Sequence, residues 1–438
     1  MKHGLFGGTH LPQRENAAFS RPIEPLPPPP RVVLPVPLKD GVPCRPTVKA
    51  GDYVTVGQKI AEGLPAVHTP IAGRVSAITP RVQSGGTSLL SVVVENDFSD
   101  ALCPAVRPPE DPGRLTARQV LALIRNAGIT ERSAPLLPIH EKITAGMGRA
   151  DTVIINACES EPYLAANNRL ALEHPEELLG GAGVLARLYG VDRVHIALER
   201  EKREAAQVLR AKIQELKAPA VVDALSLRYP QSAEKPLCRA LTGRRVPSGA
   251  SAAAIGCAVI EAPAAAALYE AVFHGRPLTH RIITATGSGI GEPRNLLCPV
   301  GTPVRCLLDA CGGVDPKTFK ILLGGPMTGL AQYDMDAPVD RNTAAVLAFC
   351  ADEERSSAHP RCIRCGRCVS VCPMGLRPVV LYRYAQAGRL DRLEQARLLD
   401  CIECGACTYV CPGRAPLLQS FRAAKQRIGK EEVCNTAN

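Results

Sequence analysis

"CIRCGRCVSVCPMG" at residues 362–375 returns in altered form as "CIECGACTYVCPG" at 401–413. Each copy follows C-x2-C-x2-C-x3-C-P: Cys362, Cys365, Cys368 and Cys372 before Pro373, then Cys401, Cys404, Cys407 and Cys411 before Pro412. A lone Cys-x-x-Cys fits zinc or a redox-active thiol pair. Two full runs with trailing prolines match another pattern, in which three closely spaced thiolates grip one [4Fe-4S] cube and the fourth, turned away by proline, reaches the neighbouring one. The spacing therefore predicts crossed ligation, with Cys362, Cys365, Cys368 and Cys411 on one cluster and Cys401, Cys404, Cys407 and Cys372 on the other. Two such centres lie within range of fast electron exchange.

Working outward, the connecting stretch "LRPVVLYRYAQAGRLDRLEQARLL" has helical periodicity, which makes 346–438 a small helical unit built around its cysteines. Residues 355–438 hold 14 Lys or Arg against 6 Asp or Glu, so most of the chain's formal charge of +10 sits here. Arg361, Arg364 and Arg367 thread the first motif and would offset the negative charge of thiolate-bound clusters, easing their reduction. No aromatic platform or nucleic-acid motif accompanies the arginines, so nucleic acid is not an expected partner. A solvated basic face is the plain reading; an acidic redox protein or an anionic membrane surface is the functional one.

The chain's 438 residues suffice for several domains, and 46% hydrophobic against 21% charged residues describes folded protein. Without Trp, its cores must come from Ala, Val, Leu and Ile. The opening "MKHGLFGGTH" contains no signal-like apolar run, and the Ala-rich stretch at 250–273 is broken by Glu261 and Pro263. A cytosolic chain without a transmembrane helix is expected, and 18 cysteines in a reducing compartment point to ligands over disulfides.

Upstream, an N-terminal extension (1–30) leads through the proline-dense segment 21–41, which must run extended as a linker or sheet edge. Over 31–100, "VKAGDYVTVGQKIAEG", "HTPIAGRVSAI" and "SLLSVVVEND" read as short strands between glycine turns. This piece resembles the barrel-sandwich hybrid of lipoyl and biotinyl carriers. Its tip, "LPAVHTPIAG", lacks their modifiable lysine, and His68 there reads as structural. Over 110–276 the period changes, and strands such as "DTVIINA" and "RVHIALE" alternate with helices such as "TARQVLALIRNAG" and "REAAQVLRAKIQEL". That alternation predicts a parallel sheet covered on both faces, with ligands at the carboxyl ends of its strands. "CESEPY", just after "DTVIINA", falls at such an end. A compact α+β unit follows at 277–345, and Cys158, Cys306 and Cys311 read as core or incidental.

Taken together, these residues resemble the RnfC family, the peripheral subunit of Rnf membrane complexes that move electrons between ferredoxin and NAD while pumping ions. The likeness runs over nearly the whole chain: "FGGTHLP" (6–12), "VKAGDYVTVGQKI", "AGRVSAI" (72–78), "EPYLAANNRLALE" (161–173), "YPQSAEKPLCRALTGRRVPSG" (229–249), "GGPMTG" (324–329) and "DCIECGACTYVCP" (400–412). The resemblance implies a multidomain α/β plus β fold. Its parts would be a barrel-sandwich hybrid, an α/β flavin domain similar to the NADH-binding subunit of complex I, a β-grasp SLBB domain and a helical two-cluster ferredoxin-like domain. It further implies two [4Fe-4S] clusters, FMN, and NAD(H) as substrate, with Lys142, Asn156, Glu159 and Glu161 at the cofactor site. Implied partners are the other membrane subunits of the complex and an acidic ferredoxin or flavodoxin, with the chain bound peripherally on the cytoplasmic side of the cell membrane.

Departures from the family pattern fall around the flavin. The family's glycine-rich GGAxFPTHVK loop admits a phosphate because no side chain blocks the backbone amides. Here the stretch reads "RSAPLLPIHEK" (132–142): Pro138, His140 and Lys142 keep their places, but Ser133, Ala134 and Pro135 enter. The family's YPQGGE is "YPQSAE", with Ser232 and Ala233, and its NVxT segment matches "EAPA" at 261–264. Three functions stay open at this point: a flavin-dependent subunit passing electrons through the clusters, an iron–sulfur relay or adaptor without flavin or NADH binding, and a soluble cobalamin-reductase-like relative.

Overall fold

A computed structural model describes residues 6–12, 17–39, 42–132, 137–159, 161–226, 228–353 and 359–436. Ser133, Ala134 and Pro135 lie outside the described residues. The runs rich in β-branched residues form four parallel strands in the order Ala220–Leu225, Val194–Glu199, Thr152–Asn156 and Cys257–Glu261. Ile155 stands opposite both Ile196 and Ile260, giving the sheet the two-sided apolar character of a parallel layer. Around it lie α1 (Ala117–Asn126), α2 (Ile139–Gly146), α3 (Ala166–Glu173), α4 (Pro175–Tyr189), α5 (Arg203–Leu216), α6 (Glu234–Thr242) and α7 (Ala262–Phe273). Thr116 and Gln119 start α1 with a reciprocal capping box. The Ala-rich stretch becomes the strand Cys257–Glu261 followed by α7, whose alanines let α4 approach closely. Among the described residues no helix is long and apolar enough to cross a membrane.

The N-terminal sandwich is built on the strands Arg31–Pro35, Ser88–Asn96, Gly73–Val82 and Tyr53–Val54. Val32, Leu34, Val75, Val92 and Val94 alternate inward to fill it. His68 is buried there and held neutral, its pKa lowered to about 3 first by burial and then by Arg341 and Lys59. The third unit is a six-stranded mixed sheet with α8 (Val304–Ala310) against it. Its edge strand is Ile23–Pro25, paired in parallel with Arg294–Pro299. The proline-dense segment thus begins at a sheet edge, and the N-terminal stretch is stitched into another unit, not standing apart as an extension. The sheet also takes in Ala345–Cys350, paired with His280–Thr286 and Thr318–Leu323, so this unit continues past the boundary expected at 345.

The cysteine unit consists of α9 (Arg367–Val371), α10 (Pro378–Gln386), α11 (Leu390–Gln395), α12 (Ala406–Tyr409) and α13 (Leu417–Thr436). The sequence repeat is a backbone repeat. Arg364 and Glu403 occupy matching left-handed positions (φ 56° and 53°), and Gly366 and Gly405 (φ 76° and 71°) start α9 and α12. Leu376, Leu381, Leu393, Leu398, Leu417 and Phe421 form the apolar core on which most of the thiols rest.

Candidate functional site

At the carboxyl edge of the parallel sheet lies a cavity of about 770 Å³, within the range that takes a cofactor-sized ligand. Its walls come from three units. The sheet side gives Glu131, Arg132, Lys142, Asn156, Glu161, Tyr229, Ser232, Glu234 and Glu261; the third unit gives Thr328 and Leu330; the cysteine unit gives Cys401, Cys404, Glu403, Arg422 and Lys425. The three segments that depart from the family pattern therefore converge on one space. Of the expected cofactor residues, Lys142, Asn156 and Glu161 meet there.

Glu159 does not line this cavity. Its Oε1 accepts the N–H groups of Asn167 (2.6 Å) and Asn168 (3.0 Å), capping the first turn of α3. Its Oε2 is buried without a partner, facing a smaller space that it shares with Glu199. Burial raises both carboxyls, Glu199 to about 8. Asn156, at the end of its strand, donates to the Ser232 carbonyl (2.8 Å) and so fixes the loop before α6.

Lys142 sits in an acidic nest. Its Nζ donates to Glu131 Oε2 (2.6 Å) and Glu234 Oε2 (2.8 Å). Burial alone would depress the ammonium, but these two carboxylates reverse that and raise it. Glu131, 2% exposed, is pushed up to about 7 by burial against the pull of Lys142, with Glu261 adding to the rise. Arg132 is engaged with Glu261 Oε2 (3.3 Å) and Asn167 Oδ1 (2.7 Å).

Glu161 acts as a strap. Its carboxylate accepts Met327 N–H (2.5 Å), Thr328 N–H (3.2 Å) and the Thr328 hydroxyl, so "GGPMTG" is drawn onto the sheet edge. The same loop then touches the cysteine unit: the Thr328 carbonyl accepts from Arg422 (2.8 Å), and Met327 lies against Gly405. Arg422 (3.0 Å) and Lys425 (2.9 Å) clamp Glu403, and Lys425 also donates to the Cys401 carbonyl (2.6 Å). They hold the Glu403 carboxyl below its usual range despite its burial. Tyr229 closes the wall, its hydroxyl donating to the Cys404 carbonyl at 2.5 Å.

The thiols stand around spaces, not around points. Cys372, Cys401, Cys404 and Cys407 line one apolar cavity, while among the described residues no three His, Cys, Asp or Glu side chains converge tightly enough for a single ion. Burial pushes the Cys404 and Cys407 thiols up to about 12, and in both Cys401 and Cys372 add to the rise. Around the other centre, Cys411 and Cys362 act likewise on Cys368, while Cys362 and Cys365 are exposed. Cys372 thus joins the second triad and Cys411 the first motif. A buried four-thiol ring that resists bare thiolates fits a cationic iron cube, whose charge offsets them. The large cavity likewise fits a flavin in volume and in its mix of donors and acceptors, with the Lys142 end occupied by Glu131.

Sequence reading missed Glu131, Tyr229, Glu234, Glu403, Arg422 and Lys425. Glu131 carried one signal, a charged residue directly after the apolar "GIT" and before the altered loop; the others depend on contacts far apart in the chain.

Comparison with known proteins agrees with this layout. Residues 3–99 match the RnfC barrel-sandwich hybrid domain, 124–270 the Nuo51 FMN-binding domain of complex I, and 361–415 a 4Fe-4S dicluster domain. A NAD+-reducing [NiFe]-hydrogenase structure shares the fold (TM-score 0.51, 17% identity), covering 74% of this chain and 63% of its own. An RnfC-type component of the Na+-translocating ferredoxin:NAD+ oxidoreductase complex of Acetobacterium woodii is 36% identical over 98% of both chains. Its counterpart in the proton-translocating complex of Clostridium ljungdahlii is 34% identical over 96% of this chain and 93% of its own. The equivalent component of the ion-translocating oxidoreductase complex of Rhodobacter capsulatus is 35% identical over 97% and 83%. With its sandwich, FMN-type sheet and paired cysteine runs in one continuous order, the chain belongs to the RnfC family.

Proposed function

We propose that this chain is the peripheral electron-transfer subunit of an Rnf-type complex, passing electrons between ferredoxin and NAD(H) at a membrane that the complex energises by ion translocation. One observation carries the reading: the cavity at the sheet edge shares its wall with Cys401 and Cys404, so no other element intervenes between a flavin site and a cluster site. Flavin bound there would exchange hydride pairs for single electrons, and two [4Fe-4S] clusters would carry the single electrons onward.

The chain's own residues hold that junction together. Tyr229 and Lys425 pin the carbonyls of Cys404 and Cys401, which keeps the cluster loop at a fixed distance from the cavity. Arg422 and Lys425 place positive charge beside the thiolates, favouring an added electron. Val371, Ala406 and Met327 pack around Tyr229 and keep water from the gap. Crossed ligation, with Cys372 and Cys411 exchanged, orders the two centres in line: the second beside the cavity, the first towards the exposed loop carrying Ile363, Arg364 and Cys365. That loop's basic surroundings favour an acidic ferredoxin or flavodoxin and a position on the cytoplasmic side of the membrane.

Anaerobic purification with iron, sulfide and flavin quantitation tests the reading. About eight irons per chain, one flavin, and bleaching of the cluster absorbance by NADH are expected. Iron without flavin and without NADH response would replace it with the relay reading, which the occupied Lys142 favours.

A further inference from the structure

Lys142 and the backbone amide at the start of α7 make a seat for an anion. An ammonium and an N–H at a helix N-terminus, both facing a buried cavity, are the groups that hold a phosphate or carboxylate. In this chain both are already engaged by one side chain. Glu131 Oε2 accepts Lys142 Nζ at 2.6 Å and its Oε1 accepts the Glu261 N–H at 2.8 Å. The carboxylate thus spans the seat with one oxygen on each donor, 2% exposed and lining the cavity.

The surrounding charge makes a second anion unwelcome. Facing Glu131 are Lys142 from α2, Glu234 from α6, Glu261 from the start of α7, the neighbouring Arg132, and the Tyr189 hydroxyl of α4. Arg132 and Lys142 are thus outnumbered by Glu131, Glu234 and Glu261. A phosphate monoester, close to doubly charged at neutral pH, would enter a net negative corner whose lysine is already paired twice.

We infer that Glu131 is a resident anion filling this seat, so the terminal phosphate of FMN adds nothing to flavin binding here and the cavity holds riboflavin as tightly as FMN. The inference rests on the proposed flavin site. It differs from a lost site, because the space along Asn156, Tyr229 and Ser232 stays open to the ring system while only the phosphate end is closed.

Titrating FMN and riboflavin into the cluster-loaded, flavin-stripped chain, followed by flavin fluorescence, tests this. Wild type should bind the two with equal affinity, and inorganic phosphate should not compete. Glu131→Ala opens the seat and should favour FMN by about tenfold or more, the worth of one charge-assisted contact, with inorganic phosphate now competing. Glu131→Gln, which keeps the volume and removes the charge, should shift the ratio in the same direction by less, and decides the matter if the alanine variant does not fold. A wild type that already prefers FMN tenfold, or a ratio unmoved in both variants, overturns the inference. If neither flavin binds any variant, the flavin reading fails, and the seat is judged by inorganic phosphate alone. Thermal stabilisation of Glu131→Ala by phosphate, absent in wild type, upholds a resident anion; no difference refutes it.

Discussion

Alanine at Gly405 and alanine at Gly366 are the same substitution made at matching points of a repeat. Both glycines start a cluster helix in the left-handed region, at φ 71° and 76°, and both variants incur the left-handed strain of an L-residue, about 1–2 kcal/mol. Their surroundings differ. A methyl at Gly366 meets open space, whereas one at Gly405 would lie 2.6 Å from the Met327 carbonyl oxygen and 3.4 Å from Leu418. A backbone carbonyl cannot rotate away as a side chain does. The "GGPMTG" loop must move, against the Glu161 strap that holds Met327 and Thr328, and overpacking of this kind adds about 1–3 kcal/mol. Gly366→Ala should therefore cost about 1–2 kcal/mol and Gly405→Ala about 2–5 kcal/mol in total. Anaerobic guanidinium unfolding followed by cluster absorbance, with iron counted per chain, reads the difference. Equal midpoints for the two variants would refute the claim that the third unit presses on the second cluster loop.

Further outcomes follow from the same geometry. Cys372→Ser should abolish the cluster held by Cys401, Cys404 and Cys407 while sparing the other, and Cys411→Ser should do the reverse; electron paramagnetic resonance of the reduced variants would show the opposite pairing if ligation were not crossed. Glu131, raised to about 7 by burial, keeps its proton in the folded chain where the unfolded chain has lost it. Its contribution is full below the ordinary glutamate value of 4.5 and is lost as pH rises through about 7. Glu131→Gln should flatten the stability profile across that window, and thermal unfolding with an unchanged slope would contradict this. Electron transfer with an acidic ferredoxin should slow as ionic strength rises from roughly 0.05 to 0.5 M; a rate indifferent to salt in stopped-flow measurements would remove the basic surface from the encounter.

What could be read without coordinates was local. The cysteine spacing carried the cluster unit, and the alternation of "DTVIINA", "RVHIALE" and "AVVDALSL" with helical stretches carried the parallel sheet, because each pattern is complete within a few turns of chain. The tendency of open parallel sheets to take ligands at their carboxyl ends pointed to the edge where the cavity lies. The contacts that define the cavity were not legible, since they join distant positions: Tyr229 to Cys404, Glu161 to Met327 and Thr328, Glu131 to Glu261. Glu159 misled for a related reason. It stands beside Asn156 and Glu161 in sequence, but its carboxylate turns away from the cavity to serve the start of α3.

The edge strand Ile23–Pro25 carries a consequence for synthesis. It emerges from the ribosome first, yet Asn295, Leu296 and Leu297, its partners, come some 270 residues later. Until they appear, an apolar, proline-flanked ribbon must wait unpaired while the sandwich and the flavin-type sheet fold behind it. Assembly is then sealed by the oldest part of the chain, as Gly8 bonds to Val371 and Thr9 to Tyr229. Pairing over so long a span is slow and leaves partly folded chains open to mispairing, so the nascent protein gains its final shape only when its two ends are brought together.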